Sequence, residues 1–298
     1  MKLDDKPSIK KLRWIMSELR NPETGCPWDI KQTFKSIVSH TIEEAYEVAD
    51  AIEQGDLEEV KKELGDLLFQ VIFYSHLGEE LHEFNFDDVV AAICEKLIRR
   101  HPHVFAQQNF SSESEIKANW ENEKIKERQQ RAALNQTSLN KNSINLSILT
   151  DIPQNLPALS QANKIQKRCA HVGFDWHNID DVFAKVVEEV AEVKAELPSQ
   201  NGQKNDLNLT QSLENNSLLH EELGDLLFAV VNVCRHAKAD PETLLRQANR
   251  KFSRRFQGVE AQVVQSGNAF SEHSLEQLED YWQQVKQQEK LKIDKSSS

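Results

Sequence analysis

Apolar residues along this chain recur at helical spacing, and the alternation that marks β-strands is nearly absent. Ile42, Ala45, Ala49 and Ile52 form one helical stripe, with Glu44 and Glu47 off it. Thr41 stands where a cap would, and Glu44 three positions later would complete a capping box. The next helix differs in kind. Between Leu64 and Leu77 it is apolar on nearly all sides, through Leu67, Leu68, Phe69, Val71, Ile72, Phe73 and Tyr74. A helix of that kind is expected to be buried. A second stretch repeats it with Leu226, Leu227, Phe228, Val230, Val231 and Val233. Only nine glycines and eight prolines punctuate 298 residues, so long helices can run uninterrupted. The pattern predicts an all-α fold built from helical bundles.

Acids enter both apolar helices at the same place. Glu63 and Asp66 share a face near the start of the first, and Glu222 and Asp225 do so in the second. Each pair is preceded by another acidic run, Glu43-Glu44-Ala45-Tyr46-Glu47 and Glu188-Glu189-Val190-Ala191-Glu192. Burying unpaired carboxylates is costly, so these faces call for a cation or for protonation. One ExxE on a helix arises by chance on charged surfaces. EExxE followed by ExxD on an apolar helix, found twice, is far more specific.

The repetition extends past the acids. Lys96-Leu97-Ile98-Arg99-Arg100 matches Lys251-Phe252-Ser253-Arg254-Arg255, and Trp120 with Lys124 matches Trp282 with Lys286. Gly25-Cys26-Pro27-Trp28-Asp29 loosely matches Gly173-Phe174-Asp175-Trp176. The order of landmarks is the same in both halves, which indicates a duplicated domain; the period is too long for a solenoid. We expect an N-terminal domain over 1–128, a polar linker over 129–150, a C-terminal domain over 151–292 and a disordered tail over 293–298. Glu192 and Glu222 lie 14 residues further apart than Glu47 and Glu63, which predicts an inserted mobile loop over 198–217.

A net charge of −12 argues against duplex nucleic acid and bare membrane surfaces as partners. An anionic substrate stays possible where a cation mediates. Cys26, Cys94, Cys169 and Cys234 form no CxxC pair and read as free thiols. No apolar run approaches the ~20 residues of a membrane span, and the charged start Met1-Lys2-Leu3-Asp4-Asp5-Lys6 lacks a signal core, so the expected location is the cytoplasm.

Carboxylates without supporting His or Cys favour Mg²⁺, with Mn²⁺ as a substitute. Mg²⁺ is commonly shared between a few carboxylates and substrate phosphates, and Lys and Arg would neutralise the remaining phosphate charge. Lys251, Arg254 and Arg255 lie on one helical turn; singly, each reads as a solvated or ion-paired residue, and their recurrence beside the acids points to function. Trp282 and Trp120 would stack on a base or fill the core. Glu79-Glu80-Leu81-His82 contains an ExxH of the di-iron type, but it occurs once and in a loop-like segment. His101 and His103 read as a capped helix end rather than as ligands.

These motifs together resemble the MazG family of the all-α nucleoside triphosphate pyrophosphatases. The resemblance runs from Gly25 through Gln32-Thr33, the acids and Arg99-Arg100-His101-Pro102-His103-Val104-Phe105 to Trp282 and Lys286. It implies Mg²⁺-dependent hydrolysis of NTP or dNTP to NMP and pyrophosphate, broad base tolerance and a homodimer. It places metal ligands at Glu189, Glu192, Glu222 and Asp225, with Glu44, Glu47, Glu63 and Asp66 as first-half equivalents. Nucleotide contacts fall on Lys251, Arg254, Arg255, Trp282 and Lys286, and on a further basic cluster, Lys164, Lys167 and Arg168. The repeat carries these to Lys96, Arg99, Arg100, Trp120 and Lys124. Glu188, beside Glu189, is the candidate general base, with Glu43 as its equivalent; a supporting or solvated role is the alternative for both. The second half is favoured as the catalytic one. Competing readings are a non-catalytic helical module that senses metal or nucleotide, and a narrower pyrophosphatase of the dUTP or phosphoribosyl-ATP type.

Overall fold

The computed structural model describes residues 6–136, 147–150, 152–197 and 216–296. Among the described residues there are eleven α-helices, two short 3₁₀ turns and no strand. The chain divides into two compact units, Met1–Asn135 and Gln136–Ser298.

The first unit contains α1 (Ile9–Leu19), α2 (Val38–Gln54), α3 (Leu57–Glu80), α4 (Phe86–Arg100), α5 (Pro102–Phe105) and α6 (Glu113–Gln136). A tight turn joins α2 to α3. Gly55 adopts φ +77°, a left-handed conformation that only glycine takes without strain. Asp56 then caps α3 by accepting the backbone N–H groups of Glu58 and Glu59 at 3.1 Å. This turn lays α2 and α3 side by side and brings their acids onto facing surfaces. Met16, Ile37, Ile72, Phe73 and Leu77 form the core, with Phe34 stacked on Tyr74 at 5.6 Å.

The second unit contains α7 (Ala158–His171), α8 (Ile179–Glu196), α9 (Ser217–His236), α10 (Pro241–Ser266) and α11 (Leu275–Ser296). α9 packs on α8 as α3 packs on α2. Asn216 caps α9 by accepting from Leu219 N at 3.1 Å, and its amide donates to the Glu196 carbonyl at 3.1 Å, tying the two helices at their adjoining ends. α10 and α11 form a hairpin around Val259, Val263 and Val285, and α10 also touches α7 and α9. The hairpin closes tightly at Gly258, where a Cβ would lie 2.8 Å from Val285 Cγ2.

Four expectations change. Thr41 is not a cap: α2 starts at Val38, and the Thr41 hydroxyl bonds the Ile37 carbonyl and the Tyr74 hydroxyl, both at 3.1 Å. Glu79 and Glu80 are helical, because no breaker stops α3 before Leu81. The apolar helices bury one side only. Leu64, Leu68 and Val71 stay exposed on α3, as do Leu227, Phe228 and Val230 on α9, since no helix among the described residues covers them. The acids are accordingly less buried than their apolar surroundings suggest. Glu189 is buried, Glu44, Glu63 and Glu222 are half-buried, and Glu47, Asp66, Glu192 and Asp225 are exposed.

α6 continues to Gln136 and α11 to Ser296, into the segments read as linker and tail; in the first of these, alanine, leucine, arginine and glutamine favour helix. Residues 137–146 of the linker at 129–150 and nearly all of the insertion at 198–217 lie outside the described residues. No helix among those described is long and apolar enough to cross a membrane.

Candidate active site

Helical spacing on paired helices gathers the acids. Glu44 from α2 and Glu63 and Asp66 from α3 each bring a carboxylate oxygen within 4.8 Å of the others. Glu189 and Glu192 from α8 and Glu222 from α9 do the same in the second unit. Glu47 and Asp225 flank these triads closely enough to act on them electrostatically.

The crowding shows in the acidities. Burial pushes the Glu44 carboxyl above its usual range, and the charges of Asp66, Glu47 and Glu43 push the same way. Glu63 is raised by desolvation and then by Glu47. Glu192 is raised by desolvation, then by Glu189 and Glu222. Desolvation also leads for Glu222, followed by Glu189 and Asp225. Like charges held together disfavour ionisation unless a cation joins them.

The second triad has an additional feature. Glu189 Oε2 is buried with no hydrogen-bond donor. Its other oxygen pairs with Lys185 Nζ at 2.7 Å, and the same ammonium reaches Glu188 at 2.9 Å. These two carboxylates raise the Lys185 pKa, which keeps the side chain a cation. His40 occupies the corresponding place in the first unit and approaches Glu43 at 3.6 Å. Sequence reasoning passed over Lys185. Its spacing, one helical turn before Glu188 and Glu189, becomes a signal only once Glu189 is known to be buried.

The basic residues form a separate group. Arg254 Nε and Arg255 Nε each donate to Glu289 at 2.8 Å, on opposite oxygens. In the first unit, Arg99 and Arg100 grip Glu127 with Nη2 at 2.5 Å each. Glu289 and Glu127 stand seven positions after Trp282 and Trp120, so the repeated motif is Trp-x-x-x-Lys-x-x-Glu. Both glutamates were missed as site residues, although the repeat contained them. Trp282 packs on Phe252 at 5.1 Å with the Arg255 guanidinium 6.0 Å from its ring, and Trp120 meets the His101 ring edge-on at 5.3 Å. Lys124 pairs with Glu121, and Lys96 lies one turn before Arg100. Lys251 is exposed and Lys286 half-buried.

Lys164 and Lys167 are exposed on α7, while Arg168 donates to the carbonyl oxygens of Ile148, at 2.9 Å, and Thr150. Among the described residues no hydrogen bond or ion pair joins these cations to the acid triads. α10 nonetheless packs against α7 and α9, so helices carrying both groups adjoin.

Each tryptophan loop is anchored by an arginine, but through different groups. Arg235 forks Asp175, which His236 also contacts at 3.1 Å, and these partners hold the Asp175 carboxyl below its usual range. Arg20 forks Glu80 at 2.6 and 2.7 Å and reaches the carbonyls of Asp29 and Gln32.

The sequence signature of the MazG nucleotide pyrophosphohydrolase domain matches residues 32–105 and 178–260, the segments that carry the two triads. The chain belongs to the MazG family. Among MazG relatives, it is 47% identical over 281 residues to a nucleoside triphosphate pyrophosphohydrolase of Escherichia coli K12, covering 94% of this chain and 98% of that one. A nucleoside triphosphate pyrophosphohydrolase/pyrophosphatase MazG of Thermotoga maritima is 37% identical, covering 91% of this chain and 93% of its own. The uncharacterized protein YabN of Bacillus subtilis is 40% identical over 93% of this chain, which spans 51% of that longer protein. The MazG signature stops short of Trp120, Lys124, Trp282, Lys286 and the two glutamates of the repeated motif.

Proposed function

We propose that this chain is a divalent-metal-dependent nucleoside triphosphate pyrophosphohydrolase that cleaves between the α and β phosphates, with its working site in the second unit. The observation that carries this reading is the triad of Glu189, Glu192 and Glu222, whose buried Oε2 at Glu189 has no donor. An all-oxygen set with an unsatisfied buried carboxylate oxygen fits a hard divalent cation. Mg²⁺ is our assignment and Mn²⁺ its substitute, held by these three residues with Asp225, and by Glu44, Glu47, Glu63 and Asp66 in the first unit. Bound there, the ion would supply Lewis-acid charge to phosphate oxygens.

The chain's own residues do the rest. Glu188, exposed and steadied by Lys185, accepts the proton of the attacking water. Lys185, already a cation between two carboxylates, has its charge available to a phosphate once a divalent ion satisfies Glu189. Lys251, Arg254, Arg255 and Lys286 meet the phosphate tail, Trp282 borders it, and Lys164, Lys167 and Arg168 flank it from α7. The first-unit counterparts Glu43, Lys96, Arg99, Arg100, Trp120 and Lys124 belong to a site of lesser or no turnover, because Glu127 engages the arginine forks there. Recognition directed at phosphate is indifferent to the base, which supports broad tolerance. The exposed apolar faces of α3 and α9 support a homodimer that covers them. Four free cysteines suit a reducing, cytoplasmic setting.

The test is to incubate the chain with Mg²⁺ and a nucleotide panel and resolve the products. Monophosphate plus pyrophosphate is expected. Diphosphate plus phosphate, or no turnover by any nucleotide, overturns the reading. Glu188→Gln with full turnover and normal Mg²⁺ binding would reject Glu188 as the base.

A further inference from the structure

We infer that Glu289 is a positioning residue of the phosphate site: it holds Arg254 and Arg255 side by side through their Nε atoms and leaves their terminal nitrogens open to a polyphosphate. The inference rests on the functional reading above for its substrate, though the geometry stands without it. Each arginine gives Glu289 one Nε contact of 2.8 Å. Among the described residues no hydrogen bond engages the Nη nitrogens of either. Glu289 and Arg255 are only 21% and 22% exposed at the side chain, and the Arg255 guanidinium also lies 6.0 Å from the Trp282 ring, so the pair has a fixed base. Arg254 is 65% exposed and, with Glu289, lines a groove between α10 and α11 that gives a polyphosphate room beside the pair.

The first unit holds the same three residues in a closed arrangement. Glu127 takes Nη2 of both Arg99 and Arg100 at 2.5 Å and Nε of Arg100 at 3.0 Å. Two more acids complete the closure: Glu95 pairs with Arg99 Nη1 at 3.4 Å, and Glu123 with Arg99 Nε at 3.6 Å. In the second unit, Arg250 stands at the position of Glu95 and Val285 at that of Glu123. The sequence therefore removes both competing acids where the forks are open and keeps both where they are closed. Guanidinium terminal nitrogens are the atoms that make bidentate contacts with phosphate, so only the second unit presents a prepared receptor.

Removing Glu289 also takes a negative charge from beside the phosphate, an effect of opposite sign. That effect acts through solvent and fades at about 1 M salt, where the Debye length is about 3 Å. Loss of orientation does not. The decisive experiment is a double-mutant cycle on the full chain, with inorganic pyrophosphate as probe, no divalent metal and phosphorus NMR titration at high salt. Glu289→Gln should weaken pyrophosphate binding about fivefold or more in the natural background, and less than about twofold when Arg254→Ala and Arg255→Ala are already present. Equal weakening in both backgrounds, or none in the first, overturns the inference. Melting scans check folding, and Glu289→Asp, too short to span both Nε atoms, runs the same cycle if the glutamine variant does not fold. With Mg²⁺ and a nucleoside triphosphate, Glu289→Gln should raise KM about fivefold and leave kcat within about twofold. A fall in kcat with KM unmoved also overturns it. Absence of turnover in the unsubstituted chain, with the pyrophosphate cycle intact, would refute the hydrolase reading and leave the receptor standing.

Discussion

Glu222 shows how one side chain separates a metal role from a structural one. Its carboxyl is raised by desolvation, then by Glu189 and Asp225, so in the metal-free chain it is a source of repulsion. Glu222→Gln should therefore raise the melting temperature without metal, abolish the rise that Mg²⁺ produces through the second unit, and lower turnover beyond the ~10–100-fold that loss of an outer partner of a metal ligand costs. A surface acid would change none of these, and thermal scans with and without Mg²⁺ distinguish the cases. Glu127 behaves in the opposite way. The Arg100 hydrogen bond, with Arg99 adding to it, holds its carboxyl down at about 2. Its contribution to stability is present above the ordinary carboxylate range and is lost only as pH falls towards that value. Glu127→Gln should lower the unfolding free energy by about 2 kcal/mol at neutral pH, with a smaller effect near pH ~3, measured by denaturant titration at both pH values. The acid pairs themselves were legible because i,i+3 spacing survives without any tertiary knowledge. Lys185 was not, since a lysine before two glutamates is ordinary on any helix until Glu189 is known to be buried.

Helices place these residues, and their ends and crossings are the vulnerable points. α2 and α3 align through Gly55 and Asp56, so Asp56→Ala should cost about 1 kcal/mol and a few degrees of melting temperature. The acids of α2 and α3 face each other across that turn, so its metal response should weaken as well. Gly258 tests the hairpin. A methyl there would press on Val285 Cγ2 at 2.8 Å and Cγ1 at 2.9 Å, and a buried valine between packed helices yields little. Gly258→Ala should destabilise the chain by about 1–3 kcal/mol, read from chemical denaturation. At this scale the sequence pattern identified the helices and their duplication. It misjudged how much of them is covered. An all-round apolar helix such as α3 reads as buried, yet Leu64, Leu68 and Val71 are exposed within the unit. Periodicity records which faces avoid water, not whether the same chain or another provides the cover. Thr41 misled for a related reason: its hydroxyl bonds back to the Ile37 carbonyl one turn earlier and across to Tyr74 of α3, a tertiary partner that no local motif announces.

Across the whole molecule, two opposed sets of carboxylates govern the response to pH. Glu44, Glu63, Glu192 and Glu222 are raised above the ordinary carboxylate range by desolvation and by the acids around them. A folded pKa above the unfolded one gives stability that is complete below the unfolded value and is lost as pH rises through the folded value. Glu80, Glu127, Asp175 and Glu289 are depressed by arginines. Their stability is complete above the unfolded value and is lost as pH falls through the folded one. The two trends cross in weakly acid solution. Without divalent metal, the raised carboxylates should make the chain melt progressively lower as pH rises from weakly acid towards neutral solution, with the ten histidines titrating over the same window. The net charge of −12 adds a repulsion of the same sign at neutral pH. Saturating Mg²⁺ should cancel most of the loss, because a bound cation does at neutral pH what protons do at acid pH. The stabilisation by Mg²⁺ should therefore be small at pH ~5 and grow towards pH ~7, with protons released on binding at the lower end. Melting scans from pH ~4 to ~8, in chelator and in Mg²⁺, measure both curves. Parallel curves would mean that the raised carboxylates and the metal do not share a site, and the assignment of Glu189, Glu192 and Glu222 as ligands would fall with them.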